Sequence, residues 1–263
     1  MRIACSTSAF RVPLEKALKL ASSTGIEYVD LIAISGWDQI DLDIFGKNRE
    51  IKALHLKQLL AENGLKPVTI NTAVDFFYLR EADVASSRLS KVDVLLYLMQ
   101  GLQIKTATFY PGYKRDDLPR RELLDNTVAT LDEMMKKADE AGAVFAVEPH
   151  FDTPFQTPTQ IRELLQEVPD LKIAYDPSHF AMQGIDLRKT EFLLDRAVHV
   201  HLRDAAPGRM QMRVGKGTVD FKWIADALQD RNYRGYFSIE YLPGLEGNVT
   251  EEIIKLRDLL HKI

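Results

Sequence analysis

The chain of 263 residues has little cysteine: Cys5 is alone, so no internal disulfide can form. Disulfide frameworks are typical of small proteins in oxidising compartments, and their absence favours a reducing compartment. No apolar run approaches the roughly 20 residues that a helix needs to span a bilayer. The first residues, 1–6, lack the apolar core of a signal peptide. We therefore expect a soluble, cytoplasmic protein with no membrane partner.

An excess of charge of one sign is also missing. The formal net charge is −4 and the isoelectric point is near 5.9. Nucleic-acid-binding domains usually carry a basic patch and a much higher isoelectric point, and anionic membrane surfaces attract similar patches. Nucleic acid is therefore not an expected partner of this chain.

Glycine-rich dinucleotide-binding fingerprints and low-complexity segments are absent as well. No G-x-G-x-x-G run follows an apolar segment, which disfavours a dinucleotide-binding fold. The hydrophobic fraction of 46% is ample for a large core. Because the composition does not change abruptly along the chain, residues 1–263 are predicted to form one domain.

Eight short apolar segments alternate with segments of helical periodicity, and each is a predicted strand. They are residues 3–10, 28–34, 67–72, 106–110, 144–148, 171–176, 197–204 and 236–241. Segment 37–46 is predicted to be a loop, while Thr157-Pro158 and Asp220 are predicted to begin helices. Strict alternation implies a parallel sheet. Eight units in this length predict a closed (β/α)8 barrel, or TIM barrel, rather than an open doubly wound sheet.

The seventh segment carries two histidines, in the run Ala-Val-His-Val-His-Leu-Arg-Asp of residues 197–204. Side chains alternate across a strand, so His199, His201 and Arg203 share one face. A buried imidazole without a partner is costly, so these residues are either satisfied core histidines or metal ligands. His199 lies deeper than His201, and we expect it to support the site rather than bind a metal.

Four consecutive predicted strands end in groups that can bind a metal. These groups are Glu148, Asp176, His201 and Glu240. Active sites of such barrels lie at the carboxyl ends of the strands, where three carboxylates would repel one another without a cation. Three oxygen donors and one nitrogen suit Mn²⁺, Co²⁺, Mg²⁺ or Zn²⁺. The alternative is that each acid pairs with a basic residue such as Lys172 or Arg203; four equivalent positions favour the metal.

The motifs at these strand ends resemble those of a known family. They are Glu148-Pro149-His150, Asp176-Pro177-Ser178-His179, the histidine run of residues 199–204, Gly215-Lys216-Gly217 with Asp220-Phe221, and Ile239-Glu240-Tyr241. They resemble the sugar phosphate isomerase/epimerase family of xylose isomerase-like TIM barrels, over essentially the whole chain. That family includes ketose 3-epimerases, hydroxypyruvate isomerases, inosose isomerases and dehydratases, and the endonuclease IV type of DNA repair enzyme.

The resemblance implies one divalent ion, Mn, Co, Mg or Zn, and a ligand set for it. The implied ligands are Glu148, Asp176, His201 and Glu240. As in ketose epimerases, Glu148 and Glu240 would also act as acid and base on opposite faces of a bound sugar. His179 would match a histidine that binds a substrate oxygen. An arginine after the seventh strand would do likewise, and Arg213 is the first choice with Arg209 the second.

Three further residues complete the predicted substrate-binding set: His150, Tyr110 and Asn71. Tyr110 stands where endonuclease IV relatives use a histidine ligand, and Asn71 supplies no such ligand either. These departures from the pattern disfavour a three-zinc nuclease site. Trp37 and the aromatic residues 76–78 could line a sugar-binding wall or a lid, or could equally serve in packing. Residues 114 and 115 are expected to be solvated rather than to bind phosphate.

The predicted function is metal-dependent isomerisation or epimerisation of a small sugar or related ketone, phosphorylated or not. Proton transfer through a metal-stabilised enediolate between Glu148 and Glu240 would carry it. An inosose-type dehydratase on the same site is the alternative, followed by an endonuclease IV-like repair enzyme and a non-catalytic sugar-binding barrel. A sugar or sugar-derived ketone is the expected partner, and a homodimer or homotetramer is left open.

Overall fold

The computed structural model describes residues 1–73, 80–114 and 117–263. The aromatic residues predicted to form a wall or lid, Phe76, Phe77 and Tyr78, lie outside the described residues, as does Arg115. Trp37 is described, and its ring centre lies 5.7 Å from the guanidinium carbon of Arg11.

Eight parallel strands close into a barrel, which confirms the predicted (β/α)8 architecture. The strands of the described residues are β1 (Ile3–Ser6), β2 (Tyr28–Ala33), β3 (Lys66–Ala73), β4 (Thr106–Tyr110), β5 (Val144–Val147), β6 (Lys172–Tyr175), β7 (Ala197–Leu202), β8 (Asp204–Ala206), β9 (Arg209–Met212) and β10 (Phe237–Ile239). Around the barrel they run β1, β10, β7, β6, β5, β4, β3, β2, and β1 pairs with both β2 and β10. The remaining two strands, β8 and β9, form an antiparallel hairpin.

Helices surround the barrel. They are α1 (Leu14–Ser23), α2 (Leu42–Gly46), α3 (Arg49–Glu62), α4 (Ala82–Leu102), α5 (Arg120–Glu140), α6 (Pro158–Glu167), α7 (Ser178–Met182), α8 (Phe221–Asp230) and α9 (Val249–Leu260), with 3-10 helices at Thr7–Ala9 and Leu187–Arg196. Among the helices of the described ranges, none combines the length and the apolar composition needed to span a bilayer.

The two predicted helix starts are confirmed by their capping geometry. Thr157 forms a capping box with Gln160, and Pro158 occupies the first turn of α6. The Asp220 side chain accepts a hydrogen bond of 3.0 Å from the backbone N–H of Trp223 at the start of α8. Both side chains satisfy backbone donors that the first helical turn leaves unpaired.

Two predicted boundaries are wrong, for local reasons. Segment 37–46 contains the short helix α2, because Asp41 caps it and Leu42 and Phe45 bury their side chains. The first strand ends at Ser6 and not at residue 10. The hydroxyl of Ser6 accepts a hydrogen bond from the backbone N–H of Ser8, and a 3-10 turn begins there.

The hairpin β8–β9, which no local pattern indicates, is tied to the glycine-rich segment by one buried acid. The carboxylate of Asp204 accepts backbone N–H groups of Gly215 at 2.8 Å, Gly217 at 2.9 Å and Ala205 at 3.0 Å. A Cβ atom at Gly217 would lie 2.0 Å from Asp204 Oδ1, so this turn requires glycine. The segment between β9 and α8 is thereby held against the barrel.

The hydrophobic core lies between the strands and the helices, and it includes Leu31, Ile70, Leu98 and Ile253. The opposite strand faces carry polar side chains into the barrel interior. The buried polar residues of these strands include Asp30, Thr69, Asn71, Thr108, His199, His201 and Ser238. Apolar side chains thus pack outside the strands against the helices, while polar side chains lie inside the barrel and form a buried polar site there.

Candidate metal and substrate site

The structure brings together the four residues predicted to bind a metal. Glu148, Asp176 and Glu240 each directly follow the last residue of β5, β6 and β10, and His201 lies near the end of β7. One ligand-capable atom from each of the four lies within 4.8 Å of every other, and all four residues are buried. Since neighbouring parallel strands end at the same rim, side chains that are far apart in sequence meet there.

His201 stands at the centre of this cluster. Its Nδ1 atom lies 2.7 Å from Glu148 Oε1 and 3.5 Å from Glu240 Oε2. Its Nε2 atom lies 3.1 Å from Asp30 Oδ2. Both ring nitrogens therefore face carboxylate oxygens, and both carry a proton in this arrangement. Burial acts to lower the pKa of His201, but the charges of Glu240 and Glu148 raise it well above its ordinary value.

Arg203 brings a permanent positive charge into the cluster. Its Nη2 atom donates to Asp176 Oδ2 at 2.7 Å, and its Nη1 atom lies 3.4 Å from Glu240 Oε2. Its Nε atom donates to Ser178 Oγ at 2.8 Å. The pairing of acids with Arg203, which the sequence leaves as an alternative to a metal, is thus present for two of the three acids. Lys172, at the start of β6, is exposed.

Charge balance is the test of whether a cation fits here. Four buried carboxylates, those of Asp30, Glu148, Asp176 and Glu240, meet one guanidinium among the described residues. Unbalanced buried charge is costly, so the excess must be met by protons or by a cation. Burial, together with the negative charges of Glu148 and Asp176, raises the pKa of Glu240 to about 7. An oxygen-rich donor set with excess negative charge fits a divalent ion.

The second glutamate of the cluster behaves differently. Burial acts to raise the pKa of Glu148, but the charge of His201 and the hydrogen bond from it lower the pKa below its ordinary value. Glu148 is therefore the more readily ionised carboxylate and Glu240 the more readily protonated one. Pairs of acids whose pKa values are shifted in opposite directions are typical of sites that transfer protons.

The imidazole of His179 borders the same cluster. Its Nε2 atom lies 3.5 Å from Asp176 Oδ2 and 4.0 Å from Glu148 Oε1. Its Nδ1 atom accepts a hydrogen bond of 3.3 Å from the backbone N–H of Phe151. The Nε2 atom also lies 3.3 Å from Nη2 of Arg203, which can only donate, and burial lowers the pKa of His179 well below its ordinary value. A neutral His179 therefore turns Nε2 towards the cluster and Nδ1 towards the backbone of Phe151.

A row of rings extends from His179. The His150 ring lies 3.8 Å from that of His179, measured between centroids, and the Tyr110 ring lies 5.5 Å from that of His150. His150 Nδ1 donates to the carbonyl of Phe151 at 2.6 Å. Two residues predicted to bind substrate thus adjoin a third, and the row forms one side of the site.

The other two predicted substrate-binding residues are placed differently from each other. Asn71 is buried, and its Nδ2 donates to Glu240 Oε1 at 2.8 Å, so it touches the cluster directly. Arg213 follows β9, is half exposed, and its Nε lies 3.0 Å from Glu252 Oε1 on α9. Its role in substrate binding stays a prediction. Arg209, the second choice, is exposed on β9.

Asp30 is a site residue that the strand-end pattern does not indicate. It lies within β2, it is fully buried, and its Oδ2 atom lies 3.1 Å from Nε2 of both His199 and His201. A signal exists in the sequence, because Asp30 is the one acid in the apolar run Tyr-Val-Asp-Leu-Ile-Ala. An acid at a buried strand position needs a partner.

Residues 18–259 match the family described as xylose isomerase-like TIM barrel. Among curated proteins, the chain is similar to inosose dehydratase of Geobacillus thermodenitrificans (strain NG80-2), with 26% identity over 168 residues, covering 56% of each chain. The chain thus spans about half the length of the curated relatives that it matches.

Solved structures with the same fold cover essentially the whole chain. One is 3-keto-D-glucoside 4-epimerase from E. coli, with a TM-score of 0.79, 16% identity and coverage of 100% of both chains. Another is the IOLI protein with a bound zinc atom, with a TM-score of 0.76, 18% identity and coverage of 100% of this chain and 99% of that one. At these identities the likeness concerns the fold.

Proposed function

The chain belongs to the xylose isomerase-like TIM barrel family, and on that basis we propose that it is a divalent-metal-dependent enzyme that isomerises or epimerises a small sugar or a related ketone. The observation that carries this proposal is the meeting of four ligand atoms, from the ends of four neighbouring strands, within 4.8 Å of one another. Three carboxylates and an imidazole suit Mn²⁺, Co²⁺, Mg²⁺ or Zn²⁺. The zinc bound by the structural neighbour supports such a site.

The proposed ligands are Glu148, Asp176, His201 and Glu240, and the ion supplies Lewis-acid stabilisation of negative charge on a substrate oxygen. Around the barrel, β5 and β10 are separated by β6 and β7, so Glu148 and Glu240 approach the pocket from different sides. Glu148 takes the proton from a carbon next to the carbonyl. Glu240 returns a proton, taken up from solvent water, to the opposite face of that carbon, which inverts it, or to the adjacent carbon, which isomerises the sugar.

Neighbouring side chains hold the substrate and the two glutamates. His179 contacts a substrate oxygen through Nε2, because its other nitrogen is engaged by the backbone of Phe151. Asn71 holds one oxygen of Glu240 and so fixes the direction of that carboxylate. The rings of Tyr110 and His150 give the sugar a flat wall on the side of His179.

Dehydration of an inosose-like ketone is the second candidate, favoured by the similarity to inosose dehydratase. The first step is the same removal of a proton by Glu148. The deprotonated substrate then expels a hydroxyl group from the next carbon, which forms a carbon–carbon double bond. The leaving hydroxyl takes the proton that Glu148 removed and departs as water, so Glu148 returns to its ionised form.

Solvent exchange tests both candidates in one experiment. The metal-loaded protein is incubated in D₂O with a panel of ketoses and inososes, and NMR follows loss of the carbon-bound hydrogen and the identity of the product. An epimer or isomer carrying deuterium supports the first candidate, and an unsaturated ketone supports dehydration. Binding without any exchange would leave a non-catalytic sugar-binding barrel.

Variants of the two glutamates give the sharpest result. We expect Glu148→Gln and Glu240→Gln each to lower the exchange rate by about 10²–10⁴-fold, since each removes a positioned proton carrier. Glu167→Gln is the matched control, because Glu167 lies at the end of α6 in a surface pair with Arg121. Normal turnover by Glu240→Gln would contradict the two-carboxylate mechanism.

A further inference from the structure

Beneath the metal-ligand cluster lies a buried chain of side chains from three strands. It runs from His201 on β7 to Asp30 on β2, then to His199 on β7 and Thr69 on β3. All four side chains are at most 1% exposed. The proposed function does not use Asp30, His199 or Thr69. It therefore does not explain why these buried polar side chains lie next to His201.

Asp30 is the centre of this chain. Its Oδ2 atom accepts hydrogen bonds of 3.1 Å from Nε2 of His199 and from Nε2 of His201. Its Oδ1 atom has no hydrogen-bond partner within the part of the chain that the structure describes. A carboxylate that is ionised can only accept, so both histidines must place a proton on Nε2.

The far end of the chain is consistent with this proton assignment. His199 Nδ1 lies 3.0 Å from the hydroxyl of Thr69 and accepts its proton, because the Nε2 proton already goes to Asp30. Every ring nitrogen of His199 is thus satisfied by a protein group, and the direction of each hydrogen bond is determined.

His201 uses its two nitrogens for two different purposes. Nε2 points down to Asp30, while Nδ1 points up to Glu148 and Glu240. A nitrogen that binds a metal must offer its lone pair, so Nδ1 must lose its proton when the ion arrives. The other proton must then stay on Nε2, and a carboxylate partner enforces that tautomer.

We propose that Asp30 is a positioning residue for the metal site: its carboxylate holds the proton on Nε2 of His201 and so directs the Nδ1 lone pair to the ion. This inference rests on the proposed function, since it assigns Asp30 to the same site. His199 and Thr69 keep Asp30 in place and do not touch the ion. The arrangement is that of a carboxylate, a histidine and a metal in series, which orients the ring and strengthens it as a ligand.

A second metal ion is the competing explanation. Asp30, His199 and His201 also bring ligand-capable atoms within 4.8 Å of one another. The hydrogen-bond explanation is favoured, because Thr69 satisfies the remaining nitrogen of His199 without any ion. The number of ions per chain decides between the two.

The test is the affinity of the full chain for Co²⁺, measured by competition with a chelator and followed by the visible absorption of the bound ion. Loss of a carboxylate behind a ligating histidine typically weakens metal binding by about 10–100-fold, and we expect that range for Asp30→Asn. Thr108→Val is the matched control: it removes a buried hydroxyl from another barrel strand, β4, where that hydroxyl has no hydrogen-bond partner among the described residues. We expect its Co²⁺ affinity to stay within about threefold of the wild type, since it leaves the bond between Asp30 and His201 intact.

A second measurement does not depend on any variant folding. Long-range ¹H–¹⁵N spectra of the Zn²⁺-loaded wild type report which nitrogen of His201 carries the proton. We expect a proton on Nε2 and the ion on Nδ1. A proton on Nδ1, or a ring with neither nitrogen protonated, overturns the proposal.

The variants also separate this inference from the proposed function. If His201→Ala loses Co²⁺ while Asp30→Asn keeps wild-type affinity, the role of Asp30 is refuted and the metal site stands. If His201→Ala keeps full affinity, the metal site itself is misplaced and both proposals fail. Two ions per wild-type chain, falling to one in Asp30→Asn, would replace the positioning role with a second metal site.

Discussion

At the scale of single residues, Cys5 illustrates how burial alters a side chain's chemistry. The thiol is completely buried in β1, and burial, with a smaller contribution from the charge of Asp30, raises its pKa to about 12 from an ordinary value of 9.0. Only the thiolate reacts rapidly with disulfide reagents. Cys5 should therefore not react with disulfide reagents in the folded protein, whereas it should react in the unfolded chain.

We expect Cys5 to remain unmodified by Ellman's reagent at pH 8 in the native protein and to react fully in guanidinium chloride. Because the pKa of Cys5 is raised in the folded state, its protonated thiol contributes to the free energy of unfolding. This contribution is fully present below pH 9 and is lost as the pH rises towards 12. Absorbance of the released thiolate measures the reaction. Rapid labelling of the native protein would contradict the burial of β1.

The protons of the metal cluster give a second prediction at this scale. Burial and neighbouring acids raise the pKa of Glu240 to about 7, and the acids also raise that of His201. A divalent ion must displace these protons, so metal binding should release protons and tighten as the pH rises from about 5.5 to 7.5. Without metal, the stability contributed by Glu240 is fully present below pH 4.5 and is lost as the pH rises through about 7.

Calorimetric titration with Zn²⁺ in two buffers of different ionisation enthalpy counts the protons released. The control is the same titration of His201→Ala, in which loss of a proposed ligand should abolish both the binding heat and the proton release. An affinity that does not change over this pH range would show that these side chains are already deprotonated without the ion.

At the scale of elements, the loop between β9 and α8 depends on a single acid and a single glycine. Gly217→Ala would place a Cβ atom 2.0 Å from Asp204 Oδ1, and 2.4 Å from the carbonyl oxygen of Ala205. Backbone cannot move away as a flexible side chain can, so the loop must shift and its hydrogen bonds to Asp204 weaken. We expect Gly217→Ala to lower the free energy of unfolding by about 1–3 kcal/mol.

Gly101→Ala is the matched control for this substitution. Gly101 lies in α4, and an added Cβ there meets nothing within 4 Å. Alanine is the better helix former, so this variant should gain up to about 1 kcal/mol. Urea denaturation followed by circular dichroism measures both, and equal stability of the two variants would mean that Asp204 does not hold the loop.

Elements with local signals are the ones that the sequence predicts well. Thr157 and Asp220 carry capping signals within three residues of the helices they start, and both are confirmed. The hairpin β8–β9 has no such signal, because Asp204 binds the backbone of Gly215 and Gly217, more than ten residues away. The helix α2 has a capping residue, Asp41, but its five residues are too few to show a periodic pattern, and the burial of Leu42 and Phe45 completes its stabilisation.

At the scale of the whole molecule, closure of the barrel explains which parts of the site a sequence can predict. Glu148, Asp176 and Glu240 come from strand ends, and neighbouring parallel strands end at one rim, so a count of eight units is enough to bring them together. Asp30 meets His201 across the barrel interior, from β2 to β7. Such a contact depends on the width and stagger of the barrel, which a linear pattern does not contain.

If the proposed ion is bound, its removal should lower the stability of the entire fold, because the proposed ligands come from four strands. At an ion concentration of 100 times the dissociation constant, binding stabilises a protein by about 2.7 kcal/mol. For a chain of this size we expect EDTA to lower the melting temperature by roughly 5–10 °C. Differential scanning calorimetry measures the shift, and His201→Ala should be insensitive to EDTA. An unchanged wild-type melting temperature would contradict the proposed site.

The guanidinium of Arg203, fixed between Asp176 and Glu240, has a consequence for how the protein matures. A built-in cation eases the repulsion between these acids from the moment the barrel closes. Closure of the barrel therefore does not require the ion that the proposed function places here, and the folded chain can bind that ion afterwards. The ion bound at the proposed site would then depend on which divalent ions are present after folding and not on the course of folding.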